Sequence, residues 1–164
     1  MQSLISTSAT PYARDAFVPG HFTASGFVRS PDRSSVLLVE HRRLQRWLQP
    51  GGHVDPDDPG PLAAAMREIV EETGCADLAP FADGLFGIDV HAIPARHDEP
   101  PHRHYDLQFA FQALSDRLDP SDEVAAASWV PLDDLSAYGA DPATRKGAER
   151  LARLGSVTEG PAAS

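Results

Sequence analysis

An α/β (α+β) domain, with strands on both sides of a short and firmly bounded helix, is what the sequence predicts, and three observations predict it. Pro61 to Thr73 has helix composition, with Pro in the first turn where a missing N–H costs nothing and Gly74 as a C-terminal stop. Ser34 to Glu40 and His104 to Leu114 are extended runs rich in β-branched or aromatic residues. Thr144 to Leu154 reads as a second helix, carrying Arg145, Lys146, Arg150 and Arg153. A chain of 164 residues with 41% hydrophobic residues suits one domain with one core, expected over residues 21–154 between an N-terminal arm (1–20) and a flexible tail (155–164).

In chain order, His21 to Arg29 and Ser34 to Glu40 are expected to form a hairpin, with Pro31-Asp32-Arg33 as its turn. Val36 to Val39 is continuously apolar, as in a strand covered on both faces. His41 to Gln49 is a polar stretch with His41, Arg42, Arg43 and Arg46, cations that either contact a phosphorylated substrate or balance nearby acid. Trp47 is assigned to packing. Ala76 to Phe81 reads as a connection and Gly84 to Pro94 as a strand. Ala95 to His104 is polar and contains two adjacent prolines, so it reads as a loop carrying His97, His102 and His104. In His104 to Leu114, Tyr105, Leu107, Phe109 and Phe111 point one way. Ala125 to Val130 follows, and Pro131 to Leu135 is expected to open a helix.

The chemistry is concentrated in Gly51 to Cys75. Leu62, Ala65, Met66, Ile69 and Thr73 form an apolar stripe, while Glu68, Glu71 and Glu72 share another face of the same helix. Like charges at this spacing repel by roughly 0.2–0.5 kcal/mol per pair, so the arrangement gains little on its own. A divalent cation reverses the sign, and oxygen donors of this kind suit Mg²⁺ or Mn²⁺. The alternative is a solvated acidic face. Imidazoles at His102 and His104 lie on one side of an extended chain and suit a transition metal better than Mg²⁺, or else contact substrate phosphates or carry protons.

Gly52, then Asp58, then Arg67-Glu68-Ile69-Val70-Glu71-Glu72-Thr73-Gly74-Cys75, resembles the signature of the Nudix hydrolases. Two departures stand out: Asp58 occupies the place of a glutamate, and eight residues rather than seven separate it from Arg67. A one-residue insertion near Pro59-Gly60 accounts for this and leaves open whether Asp57 or Asp58 takes the acid's role. The resemblance implies an α/β/α sandwich around a mixed sheet. It also implies an Mg²⁺- or Mn²⁺-dependent hydrolase that cleaves a pyrophosphate linkage in a nucleoside diphosphate derivative, such as a nucleoside di- or triphosphate, a nucleotide sugar or a dinucleotide. In that reading Glu68, Glu71, Glu72 and the carbonyl of Gly52 hold metal, and Arg67 orients the carboxylates. Glu123, before Trp129-Val130-Pro131, is the later loop acid. The general base is one of Glu71, Glu68, Glu123 or a loop histidine, and Arg43, Arg46, His53, His102 and His104 are candidate substrate contacts. The alternative is a catalytically weak, nucleotide-binding sensor on the same fold.

The formal charge of −10, from 24 acidic against 14 basic residues, disfavours a nucleic-acid or anionic-membrane surface. One cysteine, Cys75, suits a reducing compartment, and no apolar run approaches a membrane span. A cytoplasmic monomer or homodimer acting on a small phosphorylated molecule is expected.

Overall fold

The computed structural model describes residues 10–81, 84–96 and 99–155. Eight strands form one mixed sheet: β1 (His21–Arg29), β2 (Ser35–His41), β3 (Arg46–Leu48), β4 (Gly51–His53), β5 (Leu78–Pro80), β6 (Gly87–Ile93), β7 (His102–Ala113) and β8 (Ala126–Pro131). Helix α1 (Pro61–Thr73) lies between β4 and β5, and α2 (Pro142–Ala152) follows β8. The order β3-β2-β1-β7-β5 runs through the centre, with β4 added to β1, β6 to β7 and β8 to β2. β1 and β7 are parallel along their whole shared length, from His21 opposite His104 to Arg29 opposite Gln112, and the other pairings are antiparallel.

The alternation of side chains along β1 separates the two layers. Phe22, Ala24 and Val28 join a core with Ala64, Ala65 and Ile69 of α1 and with Tyr105, Leu107, Phe109 and Phe111 of β7. Phe27 points the other way, into a core with Val36, Leu38, Val130, Ala148 and Leu151. The sandwich is therefore α/β/α. Each fully buried Phe, Leu or Ile contributes about 1.5–3 kcal/mol of transfer free energy, which makes these two clusters the main stabilising term. Val36 to Val39 is buried on both faces, as its apolar run requires.

The expected hairpin of β1 and β2 forms, paired antiparallel at Arg29 and Val36, and the long partner of β1 is β7, 83 residues away in sequence. Other expectations are corrected. His102 and His104 are strand residues of β7, not loop residues, because seven pairs with β6 extend β7 toward the N-terminus. Pro131 to Leu135 opens no helix: the backbone after β8 makes successive i to i−3 bonds, from Asp134 N to Pro131 O, Ala137 N to Asp134 O and Gly139 N to Ser136 O, which are turns. The last helix begins at Pro142, where the Asp141 carboxylate caps the amide of Thr144 at 2.7 Å. Short pairings with β1 and β7 also make strands of Gly51–His53 and Leu78–Pro80. His97 and most of the tail (156–164) lie outside the described residues.

Candidate active site

Helix α1 buries Ala64, Ala65, Ile69 and Thr73, so the offset positions Arg67, Glu68, Glu71 and Glu72 project from beside this buried stripe. Gly74 ends the helix in the left-handed region at φ 69°, and its amide donates to Val70 O. A side chain there would also collide with Asp119, whose amide donates to Thr73 O at 2.8 Å. The amide of Ser121 bonds the carbonyl of Glu72 at 3.2 Å. The end of α1 thus anchors the loop carrying Glu123 and brings that acid into electrostatic range of Glu72.

Arg67 organises the acidic group. Its Nε and Nη2 donate to the two oxygens of Asp58 at 3.1 and 3.0 Å, a bidentate pair. Its Nη1 donates to Glu68 at 3.0 Å and Glu71 at 2.8 Å, and its Nη2 to the carbonyl of His53 at 2.9 Å. Asp58 also accepts from the amide of Asp55 at 2.8 Å, closing the loop as a small turn. It is Asp58, then, that meets the helix arginine in spite of the extra residue. Its carboxyl is held below the ordinary value chiefly by the Arg67 hydrogen bonds, which in turn raise the guanidinium.

Glu72 lies outside the group that Arg67 bonds. Its Oε2 accepts from the amide of Gly51 at 3.0 Å, and burial pushes its pKa up to about 7 against that bond, with Glu68, Glu123 and Glu71 adding repulsion. Glu68 is also raised, first by burial, with Arg67 opposing. Its carboxylate lies so close to Gly52 that a Cβ on that residue would overlap it. Glycine at 52 is therefore a requirement of close approach. A half-buried carboxylate balanced by one amide, a second against a bare backbone and an exposed acid nearby make a donor set of oxygens that fits a hard divalent cation.

The predicted residues do not all meet here. Gly52, Arg67, Glu68, Glu71 and Glu72 come together, with Glu123 beside them. Arg43 and Arg46 are exposed on the β2–β3 hairpin and form no ion pair among the described residues. Arg42 instead reaches the Glu123 loop, donating to Asp122 O at 2.9 Å. His53, His102 and His104 gather on the sheet around a residue read from sequence merely as part of a strand, His21. Arg14 and Asp55 were likewise missed: Arg14 donates to His53 Nδ1 at 3.0 Å, and Asp55 lies 3.5 Å from Arg67. Both sit in irregular segments without a spacing to reveal them. A cleft of about 760 Å³ opens between the arm and the acidic loop, lined in part by Tyr12, Arg14, Val54, Asp55 and Asp58. Cys75 is buried, with its thiol pushed up to about 11 by burial, and serves as a small apolar residue.

Fold and site together define a class: a mixed-sheet sandwich presenting an arginine-organised carboxylate cluster from one helix to a glycine strand. The NUDIX domain model matches residues 20–153, and the chain belongs to that family. It is 29% identical over 108 residues to diphosphoinositol polyphosphate phosphohydrolase 3-alpha of Homo sapiens, covering 65% of this chain and 60% of that one. It is 34% identical over 110 residues to a putative 8-oxo-dGTP diphosphatase of Bacillus subtilis (strain 168), covering 66% of each. The chain thus spans about 60% to 66% of the length of these curated relatives. A NUDIX-family hydrolase from Clostridium perfringens superposes with a TM-score of 0.66 at 21% identity, over 80% of this chain and 95% of that one, and shares the fold. No helix among the described residues is long and apolar enough to cross a membrane.

Proposed function

We propose that the chain is a pyrophosphohydrolase that uses Mg²⁺ or Mn²⁺ to hydrolyse a phosphoric anhydride in a nucleoside diphosphate derivative. The observation that carries this reading is the division of partners on α1: Arg67 hydrogen-bonds Asp58, Glu68 and Glu71, whose three charges it offsets only in part, while the half-buried Glu72 has one amide partner and no cation among the described residues. Such a carboxylate is costly without a cation. Glu72, Glu68, Glu71 and the Gly52 carbonyl would hold the ion. When bound, the divalent ion supplies charge neutralisation on the phosphates and acidifies a water.

The protein's own groups do the rest. Arg67 fixes the rotamers of Glu68 and Glu71 and ties them to the acidic loop through Asp58 and the His53 carbonyl. Glu123 is exposed and forms no ion pair among the described residues, so its carboxylate is free to take a proton from the attacking water, whereas Glu68 and Glu71 are already engaged by Arg67. The cleft between Tyr12, Arg14 and Asp55 offers space for the remainder of the substrate. The names of the two curated relatives support phosphorylated small molecules as the substrate class.

The test is a phosphate- and pyrophosphate-release screen over nucleoside triphosphates, nucleotide sugars, dinucleotide polyphosphates and diphosphoinositol polyphosphates, with and without Mg²⁺. Release that requires the metal is expected with at least one nucleotide derivative. Tight binding with no release from any of them would support a sensor instead.

A further inference from the structure

One end of the sheet carries a cluster of imidazoles that the pyrophosphatase reading does not use. The parallel register of β1 and β7 sets His21 opposite His104, the β6–β7 register sets His91 opposite His104, and His53 stands on β4, which flanks β1. His21, His53 and His104 each offer a ring nitrogen, and these atoms all lie within 4.8 Å of one another. His102 Nε2 is 3.2 Å from His104 Nε2. Nitrogens around a tetrahedral ion with bonds of about 2.0–2.1 Å are separated by about 3.3–3.4 Å, so one pair already has the spacing of two ligands.

The outer contacts orient the rings. His21 Nδ1 faces Ala16 O at 3.4 Å and His102 Nδ1 faces Pro100 O at 2.9 Å. A carbonyl can only accept, so both rings carry their proton on Nδ1; the Nε2 of His102 then accepts from His104 Nε2–H, and the Nε2 lone pair of His21 is left over. Backbone-anchored Nδ1–H is the usual way a ligating histidine is held. The Nε2 of His21, a residue only 1% exposed, is buried and has no hydrogen-bond partner among the described residues. Leaving such an atom unsatisfied is costly unless something binds it. Two residues along β7, Asp106 is buried and accepts hydrogen bonds from Thr23, Ser25 and Gln108, and burial raises its carboxyl above the ordinary value.

We propose that His21, His53 and His104, with His102 as the fourth donor, form a second metal site that takes a transition-metal dication of the zinc class. Imidazole nitrogens select Zn²⁺, Co²⁺ or Ni²⁺, while the carboxylates of α1 select Mg²⁺ or Mn²⁺, so the two sites are chemically distinct although Gly52 and His53 are adjacent. The ion would join β1, β4 and β7, and entry displaces the Arg14 guanidinium from His53.

The experiment titrates chelator-stripped full-length chain with Zn²⁺ against a chromophoric competitor, and with Co²⁺ while recording visible absorption, all in excess Mg²⁺ to occupy the carboxylates. One Zn²⁺ per chain and an intense tetrahedral Co²⁺ band are expected. His104→Gln and His102→Gln should each weaken Zn²⁺ binding by about tenfold or more, and Glu72→Gln should leave it unchanged. Absence of Zn²⁺ binding and of the Co²⁺ band in the wild-type chain overturns the proposal whatever the variants do. So does binding that Glu72→Gln abolishes and the folded histidine variants retain. Because the readout is metal binding and not turnover, either result is separable from failure of the pyrophosphatase reading.

Discussion

The carboxylate of Glu72 accepts a hydrogen bond from the amide of Gly51 at 3.0 Å, and this contact joins α1 to β4 at the point where the acidic group is left without a cation. Glu72 titrates near 7 in the fold against an ordinary value of 4.5, so the fold favours its neutral form. The associated stability is fully present below pH ~4.5 and is lost as pH rises through about 7. Glu72→Gln mimics the neutral acid. In metal-free buffer the variant should gain stability over wild type as pH rises from 5 to 8.5, by up to roughly 2–3 kcal/mol, and contributions from the histidines cancel in the difference. Thermal melts of both proteins across that range check this, and added Mg²⁺ should erase the gain by stabilising wild type alone.

Arg67→Lys keeps the charge but cannot hold Asp58 with two bonds while reaching Glu68, Glu71 and the His53 carbonyl. The expected result is a kcat lower by about 10–100-fold in a folded protein, with KM changed much less. Steady-state kinetics beside circular dichroism separate this from simple unfolding. Unchanged kcat would show that the arginine has no part in positioning the carboxylates.

Gly52→Ala introduces a methyl group into the space of the Glu68 carboxylate, whereas Gly60→Ala meets nothing within 4 Å. The first should weaken Mg²⁺ activation of turnover by about tenfold or more, and the second should leave it within about twofold. The Mg²⁺ dependence of kcat measured on both variants makes the comparison.

Glu123→Gln removes the carboxylate proposed as base from an exposed loop that hangs on the end of α1. A loss of about 10²–10⁴ in kcat is expected, with the melting temperature unchanged within the error of a surface substitution and Mg²⁺ still required. Full activity would move the role of base to another group.

How much of this was legible in sequence depends on the range of the interaction. Helix α1, its glycine stop and its acidic face are set by contacts within four residues, and all were readable. The same is true of the alternation in β7. The helix expected after Pro131 failed because its local composition is compatible with turns, and what holds Leu132 and Leu135 is packing against the second core. His102 and His104 were read as loop residues since polar composition and neighbouring prolines outweighed pairing with β6, a partner invisible locally. His21 was overlooked for a related reason: only the parallel pairing of β1 with β7, across 83 residues, brings it beside His104. The carboxylates were legible because one helix carries them, and the imidazole cluster was not, because three strands and the sheet order build it.

The most direct test of the central claim, that Glu72 with Glu68 and Glu71 holds a divalent cation, is electron paramagnetic resonance of free Mn²⁺ titrated with stripped protein. Wild type is expected to bind Mn²⁺ in competition with Mg²⁺, and Glu72→Gln, folded by circular dichroism, to bind it more weakly by about tenfold or more. Equal Mn²⁺ binding by the two proteins would contradict the account.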